Sequence, residues 1–223
     1  MPLAIKICGL STEETLDAAT GAGADMVGFV FVLGSPRHVT AGRAAELRRR
    51  VKPGTEVVAL TVDADDATLA EIVERVSPDW LQLHGSETPD RVAALKQRFG
   101  RRVMKAVGVR GAGDLAEAEP YLGVADRILF DAKPPLGTAL PGGNGIPFNW
   151  RLLRDLDRRF TAFMVGGGLD QTNVADAIDL TGATGVDVSS GVETAPGRKD
   201  SDLIRGFVAA ARLAEVRAAR GAA

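Results

Sequence analysis

One cysteine stands alone in this sequence. Cys8 is the only cysteine among 223 residues, and it ends the apolar run 3–7, which we interpret as a buried strand. A thiol at the end of a strand can act as a base when nearby cations or dipoles lower its pKa. A single cysteine can equally be a small buried hydrophobic group. Lys6 shares the strand face of Cys8 one layer below, and we consider it a poor candidate for lowering the thiol pKa.

A second candidate for proton transfer is Asp131. It follows the apolar run 128–130, and an apolar setting can keep a carboxyl group protonated so that it serves as an acid. The alternative is that Asp131 caps a helix or pairs with Lys133. A base and an acid that face one substrate fit the isomerisation of a sugar phosphate without a cofactor.

Short apolar runs alternate with amphipathic segments along the whole chain. Strands that alternate with helices indicate right-handed βαβ units and a parallel sheet, and nearly continuous apolar strands indicate that both faces of the sheet are covered. We predict strands at 3–8, 25–32, 56–62, 79–84, 102–107, 126–131, 161–165 and 185–188. Helices are predicted at 12–21, 40–51, 66–76, 89–99, 113–122, 150–159, 171–181 and 201–219.

Eight such units predict an α/β protein, a (β/α)8 TIM barrel that forms a single domain over residues 1–223. The alternative is a doubly wound open sheet, which usually has fewer strands and a glycine-rich turn after the first one. Here that turn reads Cys8-Gly9-Leu10-Ser11, which is not a dinucleotide fingerprint. The barrel is therefore favoured.

In a barrel the active site lies at the carboxyl ends of the strands. The predicted strand ends place Cys8 and Asp131 on opposite sides of the mouth, where a substrate could lie between them. The other polar side chains at these ends are Arg37, Asp63, His84 and Lys133.

Two glycine-bearing loops follow the last two strands: Gly166-Gly167-Gly168 and Ser189-Ser190-Gly191. Glycine lets backbone N–H groups approach an anion closely, and these two loops form the usual phosphate site of a barrel. Asp170 could cap the helix after the first loop. A third cluster, 142–145, which includes Gly143, could close over the same group. Glycines can also simply make tight turns, but three neighbouring clusters favour a phosphorylated ligand. The sequence has no Walker-type lysine motif that would indicate a nucleoside triphosphate.

Composition excludes several classes of protein. The net charge is −2, from 29 acidic and 27 basic residues, which predicts no nucleic-acid partner and no membrane surface. One cysteine and two distant histidines, His38 and His84, exclude an internal disulfide and disfavour a metal site. We see no signal peptide and no run near the ~18 apolar residues of a membrane span. A cytoplasmic protein is expected.

The motifs at the strand ends, taken in order, resemble the phosphoribosylanthranilate isomerase family of tryptophan biosynthesis. Their order and spacing across almost the whole chain carry the resemblance. The matching segments are 6–10 (KICGL), 28–31 (GFVF), 35–37 (SPR), 81–85 (LQLHG), 130–132 (FDA), 167–169 (GGL) with 173–174 (NV), and 186–193 (VDVSSGVE) with 196–197 (PG) and 199–200 (KD).

The resemblance implies an Amadori rearrangement of N-(5-phosphoribosyl)anthranilate without a cofactor. Asp131 would be the general acid that protonates the ring oxygen, and Cys8 the general base that removes the proton from ribose C2. Arg37 would pair with the anthranilate carboxylate, or else be a solvated loop residue. His84 would line the anthranilate side or satisfy a backbone carbonyl. Predicted substrate contacts in the glycine loops are Gly143, Gly167, Gly168, Ser190 and Gly191.

The sequence departs from the family pattern at two loop positions. Asn144 stands where the family commonly has threonine, and Gly166 stands where it commonly has alanine. Neither change puts the reaction in doubt. Asp187 is expected to orient a loop more than to contact substrate. The resemblance also suggests a monomer or simple homodimer.

Two other functions compete with this interpretation. A related phosphate-binding barrel could act on the histidine-pathway aminoaldose, but that family relies on a pair of aspartates, and here the first strand ends in Cys8. A barrel that only binds a phosphorylated ligand would need neither Cys8 nor Asp131. A metal-dependent epimerase would need a cluster of histidines and carboxylates, which two separated histidines do not supply.

Overall fold

The fold is a closed barrel of eight parallel strands, as the sequence predicts. In this computed structural model each strand pairs with the next, and the eighth pairs with the first to close the ring. The structure describes residues 2–133, 148–154, 156, 159–160 and 162–221. The strands are β1 (Ala4–Cys8), β2 (Met26–Val30), β3 (Glu56–Thr61), β4 (Trp80–Leu83), β5 (Arg102–Val109), β6 (Arg127–Ala132), β7 (Phe163–Val165) and β8 (Gly185–Val188).

Helices cover the outside of the barrel. Within the described residues the α-helices are α1 (Glu13–Ala22), α2 (Ala41–Arg48), α3 (Asp66–Val76), α4 (Pro89–Phe99), α5 (Val174–Thr181) and α6 (Ser201–Gly221). Segments of 3₁₀ helix span Ala112–Tyr121, Trp150–Leu153 and Ser190–Val192.

Side-chain caps fix where several of these helices begin. Thr12, Thr40 and Thr88 each accept a hydrogen bond from the backbone N–H three residues later, and Asp65 does the same for α3. Such caps satisfy backbone donors that the first turn of a helix leaves open. Because each cap directly follows a strand-end loop, it also fixes the length of that loop.

Alternation along the strands divides the core into two layers. Residues that point outward pack against the helices in the large core, for example Ile5, Ile7 and Val27. Residues that point inward fill the barrel, with Trp80 and several methionines in its lower part. Above them lies a small cluster of Cys8, Val30 and Leu60. This arrangement follows from the two-residue period of a strand.

The segment after β5 differs from the prediction. The helix expected at 113–122 is a 3₁₀ helix, Ala112–Tyr121, with Pro120 inside it. Proline has no N–H to donate, and its ring clashes with the preceding turn of an α-helix. Strand β5 also runs two residues beyond the predicted end.

Three other boundaries are corrected. Strand β2 ends at Val30, before the predicted residue 32. Helix α5 begins at Val174 with Asn173 at its N-cap. Asp170 is therefore not the cap; its carboxylate accepts the N–H of Thr172 (2.7 Å) in a turn before the helix. Within the predicted helix 150–159, the regular structure described is the 3₁₀ turn Trp150–Leu153.

A small antiparallel hairpin, β9 (Glu193–Ala195) and β10 (Arg198–Lys199), stands between β8 and α6. The sequence analysis did not foresee it. It lies beside the loop after β2: a side chain at Gly197 would come within 2.2 Å of the carbonyl oxygen of Pro36. Because only glycine permits so close an approach, Gly197 joins the hairpin to the loop that carries Arg37.

Candidate active site

A cavity opens at the carboxyl ends of the strands. This is the end at which barrel enzymes carry their active sites. The residues that line the cavity come from seven of the eight strand ends and the loops after them: Cys8, Val30, Val32, Ser35, Arg37, Leu60, His84, Asp131, Gly167, Gly168, Leu169, Asp187, Ser189 and Ser190. The structure thus brings together most of the site residues that the sequence singled out.

Cys8 lies at the end of β1 with its thiol facing the cavity. It is 3% exposed, and its backbone carbonyl accepts a hydrogen bond from the Ser189 hydroxyl (3.3 Å). Burial raises the pKa of the Cys8 thiol, and the positive charge of Lys6 opposes this rise without cancelling it. The thiol is therefore the resting form near neutral pH, with the thiolate accessible at a cost.

Lys6 lies below Cys8 on the same strand face and is fully buried. Its ammonium donates to Asp187 Oδ1 at 2.8 Å, so Asp187 ties β8 to β1. Burial alone would lower the pKa of Lys6, but the negative charge of Asp187 and interaction with Cys8 outweigh it and hold that pKa above its ordinary value. Lys6 therefore carries a permanent charge. The expectation that Lys6 is a poor candidate for lowering the thiol pKa is wrong, because a buried charge one layer below still acts on the thiol.

Asp131 lies at the end of β6, across the barrel from Cys8, and its side chain is 11% exposed. Its Oδ1 accepts the N–H of Ala132 (2.9 Å), and its Oδ2 lies 3.3 Å from His84 Nε2. The suggested salt bridge to Lys133 is absent, because the Lys133 ammonium pairs instead with Asp114 (2.9 Å) and Glu117 (3.2 Å). Nor does Asp131 cap a helix, since it is part of the strand.

Gln82 and His84 form a short chain of polar groups that ends at Asp131. Gln82 is fully buried within the barrel, and its Nε2 lies 3.3 Å from His84 Nδ1. If the amide N–H₂ faces Nδ1, His84 donates from Nε2 to the Asp131 carboxylate. If the amide is turned so that its oxygen accepts from Nδ1–H, Nε2 accepts the proton of a protonated Asp131. The imidazole can therefore contact either protonation state of the carboxyl group.

Arg37 is a buried residue of the loop after β2, not a solvated one. It is 6% exposed, and its Nε and one Nη donate to the two carboxylate oxygens of Glu193, each at 2.8 Å. Lys199 donates to the same carboxylate at 2.7 Å. The hydrogen bond from Arg37 and the charge of Lys199 lower the pKa of Glu193 although burial would raise it. One carboxylate thus stands between two buried cations at this end of the cavity.

The two glycine loops after β7 and β8 meet at the cavity. Gly167 has a φ of +75° and lies so close to the Ala132 N–H that a Cβ would sit 2.4 Å from that nitrogen. Gly191 does not line the cavity; a Cβ there would lie 1.8 Å from the carbonyl oxygen of Leu169. Its small size is what lets the two loops touch. Gly166 stands where the resembled family commonly has alanine. A Cβ built at Gly166 would lie 3.3 Å from Asp131 Oδ1.

Some predicted residues fall elsewhere. Gly143 and Asn144 lie outside the described residues. Asp63 does not line the cavity; its carboxylate accepts the N–H of Ser86 (2.7 Å) in the loop after β4. His84 contacts Asp131, which the sequence analysis did not foresee.

Sequence reasoning missed Gln82, Glu193 and Lys199. Each has a buried polar side chain, and Glu193 lies 156 residues along the chain from its partner Arg37. The alternation of β4 does predict that Gln82 shares a face with His84, so that contact could have been found. The shared carboxylate of Glu193 could not, because it depends on the unforeseen hairpin.

Comparison with known proteins decides the family. A family model described as N-(5'-phosphoribosyl)anthranilate (PRA) isomerase matches residues 5–210. The chain belongs to this family. A PRA isomerase of Rhodopseudomonas palustris (strain BisA53) is 60% identical over 215 residues, covering 96% of this chain and 98% of that protein. One of Nitrobacter winogradskyi is 57% identical, covering 96% and 95%.

Solved structures agree with this assignment. PRA isomerase from Thermotoga maritima superposes with a TM-score of 0.85 at 33% identity, covering 94% of this chain and 98% of that one. A PRA isomerase solved in complex with reduced 1-(o-carboxyphenylamino)-1-deoxyribulose 5-phosphate superposes with a TM-score of 0.83 at 32% identity, with the same coverage. The chain is therefore an isomerase of tryptophan biosynthesis with the TIM-barrel fold of the PRA isomerase family.

Two further findings concern the residues that the structure describes. None of their helices combines the length and the apolar character needed to cross a lipid bilayer. They also contain no group of three or more histidine, cysteine or acidic side chains arranged to hold a metal ion.

Proposed function

We propose that this PRA isomerase converts N-(5'-phosphoribosyl)anthranilate to 1-(2-carboxyphenylamino)-1-deoxyribulose 5-phosphate by an Amadori rearrangement, with Asp131 as general acid and Cys8 as general base. The observation that carries the proposal is that a thiol and a carboxyl group line one cavity from β1 and β6. Both are nearly buried, so proton transfer would occur away from bulk water. The relative solved with a reduced carboxyphenylamino-deoxyribulose phosphate supports the substrate class.

Asp131 carries the first step. It gives its proton to the furanose ring oxygen, and the bond between that oxygen and C1 breaks with its electron pair remaining on oxygen. The lone pair of the anthranilate nitrogen forms the C1=N bond of a Schiff base. His84, 3.3 Å from Asp131 Oδ2, can then donate to the carboxylate that is left, which stabilises the charge as it forms.

Cys8 carries the second step. Its thiolate takes the proton from ribose C2, the C2–H electron pair becomes the C1=C2 bond, and the C=N pair returns to nitrogen. The enolamine then tautomerises to the ketone, with C2 hydroxyl losing a proton and C1 gaining one. Atoms and electrons balance without a redox partner.

The remaining residues anchor the two ends of the substrate. Gly167, Gly168 and Ser190 line the cavity where β7 and β8 end, and their loops suit a phosphate because backbone N–H groups can approach it closely. Gly191 and Gly143 stay predictions. We assign Arg37 to the anthranilate carboxylate, because Glu193 holds the guanidinium plane in a fixed orientation beside the cavity and a guanidinium binds carboxylates well.

Genetic complementation tests this function and its competitor together. The wild-type chain is expressed in one bacterial strain that lacks its own PRA isomerase and in a second that lacks the isomerase of the histidine-pathway aminoaldose. We expect growth without tryptophan in the first strain and none without histidine in the second. Growth only in the second strain would favour the histidine-pathway reaction, and growth in neither would favour a barrel that only binds. Cys8→Ala is the matched negative control.

Three broader predictions accompany the proposal. We infer that residues 1–223 form one domain, since all eight strands close one barrel. The cytoplasmic location predicted from the sequence stays a prediction, as does the monomer or simple homodimer.

A further inference from the structure

Lys6 is a buried cation that the proposed reaction does not yet use. Its side chain is fully buried, and its ammonium lies 2.8 Å from Asp187 Oδ1. Lys6 and Asp187 are also direct partners in the register between β1 and β8. Burying an ion pair brings little net stability, because the loss of hydration offsets the attraction between the charges. Stability alone therefore gives a weak reason to place a lysine inside this barrel.

Gly28 shows where the side chains of Lys6 and Cys8 meet. Gly28 is the register partner of Cys8 on β2. A Cβ built at Gly28 would lie 3.0 Å from Cys8 Sγ and 3.3 Å from Lys6 Cε. Both atoms therefore border one small space, which exists because this strand position has no side chain. Any larger residue would force the thiol or the lysine to move.

Several charges from different elements face Cys8. Lys6 and Lys199 act on the thiol with positive charge, and Asp187 acts with negative charge. Lys199 is itself neutralised by Glu193, 2.7 Å away, which also binds Arg37. The other ionisable groups that line the same cavity are His84 and Asp131. Lys6 comes from the strand that carries the thiol, whereas Lys199 comes from the hairpin strand β10.

We propose that Lys6 is a positioning residue for the isomerisation: its ammonium, held by Asp187 beneath Cys8, stabilises the thiolate that takes the proton from ribose C2. This inference rests on the proposed role of Cys8. Lys6 reaches the reaction only through Cys8, because Lys6 is absent from the lining of the cavity. Its effect should therefore appear in the rate of proton removal more than in substrate binding.

The test uses the fact that Cys8 is the only cysteine in the chain. The rate of alkylation by iodoacetamide, measured from about pH 6 to about pH 10, reports the thiolate fraction of Cys8 alone. We expect Lys6→Met, which keeps the length of the side chain and removes its charge, to move the midpoint of this titration upward. Each unit of that shift lowers kcat/KM near neutral pH about tenfold, while KM changes little.

Lys105→Met is the matched control. Lys105 is also buried and forms an ion pair, 3.0 Å from Glu87, but its ammonium binds the carbonyl oxygens of Leu83 and Gly85 after β4. We expect this variant to lower the thermal midpoint as Lys6→Met does and to leave the alkylation profile in place. If both variants shifted the thiol titration equally, the effect would be a general loosening of the barrel and the inference would be overturned.

Asp187→Asn gives a second test that does not depend on losing the lysine. The carboxylate of Asp187 raises the pKa of the Cys8 thiol, so its neutralisation should move the titration downward, in the direction opposite to Lys6→Met. A purely structural ion pair predicts no such reversal of sign. If the wild type turns over substrate but neither variant moves the titration, the inference fails. If the wild type has no turnover, the proposed function fails and the inference about the reaction falls with it.

Discussion

At the scale of single residues, the two proposed proton-transfer groups have different surroundings. Cys8 lies above the Lys6–Asp187 ion pair, whereas Asp131 contacts the His84 imidazole, which is itself hydrogen-bonded to Gln82. A cation favours the charged form of the base, and an imidazole can stabilise the acid both before and after it gives up its proton. Each reactive group thus has one buried polar partner suited to its role.

The pH dependence of the Cys8 thiol follows from its surroundings. Burial raises the pKa of the thiol above its ordinary value, and the base must be deprotonated to act. In the free enzyme, the fraction of Cys8 present as thiolate should therefore keep rising as the pH increases from neutral through the ordinary thiol range of about 8.5. The ultraviolet absorbance of the thiolate, measured across that range with Cys8→Ala as the blank, reports this rise. A thiolate fraction that is already complete at neutral pH would contradict the prediction.

His84 provides the corresponding prediction for the acid. His84→Ala removes the group that lies 3.3 Å from Asp131 Oδ2 without removing Asp131 itself. We expect kcat to fall by about tenfold or more, but by less than the ~10²–10⁴ that general acid catalysis contributes. KM should change little. Steady-state kinetics of His84→Ala and Gln82→Leu, measured side by side, check the argument. Gln82→Leu should lower kcat by a smaller factor and leave KM nearly unchanged. A normal kcat in His84→Ala would contradict it.

The sequence predicted the positions of Cys8 and Asp131 at the cavity better than it predicted their supports. A polar side chain at the end of an apolar strand is visible in any barrel sequence, whereas its catalytic role stays a proposal. Their supports depend on which strands become neighbours. Lys6 and Asp187 are 181 residues apart in the chain, and neither residue type alone reveals the pair. The strand alternation placed Lys6 correctly below Cys8, but distance along the strand was a poor guide to electrostatic effect.

At the scale of elements, the hairpin β9–β10 and the loop after β2 act as one unit. Glu193 opens the hairpin and binds Arg37 through both carboxylate oxygens, while Lys199 closes the hairpin and donates to the Ser189 carbonyl at 2.8 Å. The hairpin therefore links Arg37 to the loop after β8. Its short strands carry no hydrophobic alternation, which is why the sequence did not predict it.

The contact between the two glycine loops gives a prediction at this scale. In Gly191→Ala the new methyl group would overlap the carbonyl oxygen of Leu169, so one loop must move. We expect weaker phosphate binding and a higher KM, with the fold retained. Gly113→Ala is the matched control, because a Cβ at Gly113 would meet no atom within 4 Å. The KM of this variant should equal that of the wild type. Titration with inorganic phosphate measures the effect, and equal affinity in both variants would contradict it.

Sequence patterns predict some element boundaries better than others. The caps of α1, α2 and α4 are threonines that the pattern makes easy to find. The 3₁₀ segment Ala112–Tyr121 was predicted as an α-helix because its composition suits one, although Pro120 argues against it. Asp114 holds that segment: it accepts the N–H groups of Arg110 and Gly111 and pairs with Lys133. These contacts lower the pKa of Asp114 to about 2.

At the scale of the whole molecule, the cavity and the cluster around Trp80 lie at opposite ends of the barrel. The cavity lies at the carboxyl ends of the strands, and the opposite end is closed by Trp80 with two arginines over its ring. Arg102 lies 4.4 Å and Arg127 5.3 Å from the ring centroid. Barrels commonly keep these two ends independent. From the sequence, the eight-unit alternation predicted only that the polar strand ends would meet at one end of the barrel, and the cavity lies there.

Trp80 tests that independence. Trp80→Ala should lower the free energy of unfolding by about 3–5 kcal/mol, the usual cost of removing a large buried aromatic side chain. At temperatures well below the unfolding transition, kcat/KM should remain that of the wild type. Urea denaturation and steady-state kinetics on the same preparation measure both quantities. A large loss of activity in a folded Trp80→Ala protein would show that the two ends are coupled.

The most direct measurement of the central claim is turnover of freshly generated phosphoribosylanthranilate, followed by the loss of its anthranilate fluorescence. Wild type, Cys8→Ala and Asp131→Asn are compared side by side. We predict rapid loss of fluorescence in the wild type and a decrease of about 10²–10⁴ or more in each variant, because each removes one proton-transfer group. An inert wild type would contradict the isomerase function, and an unimpaired Cys8→Ala would show that another group is the base.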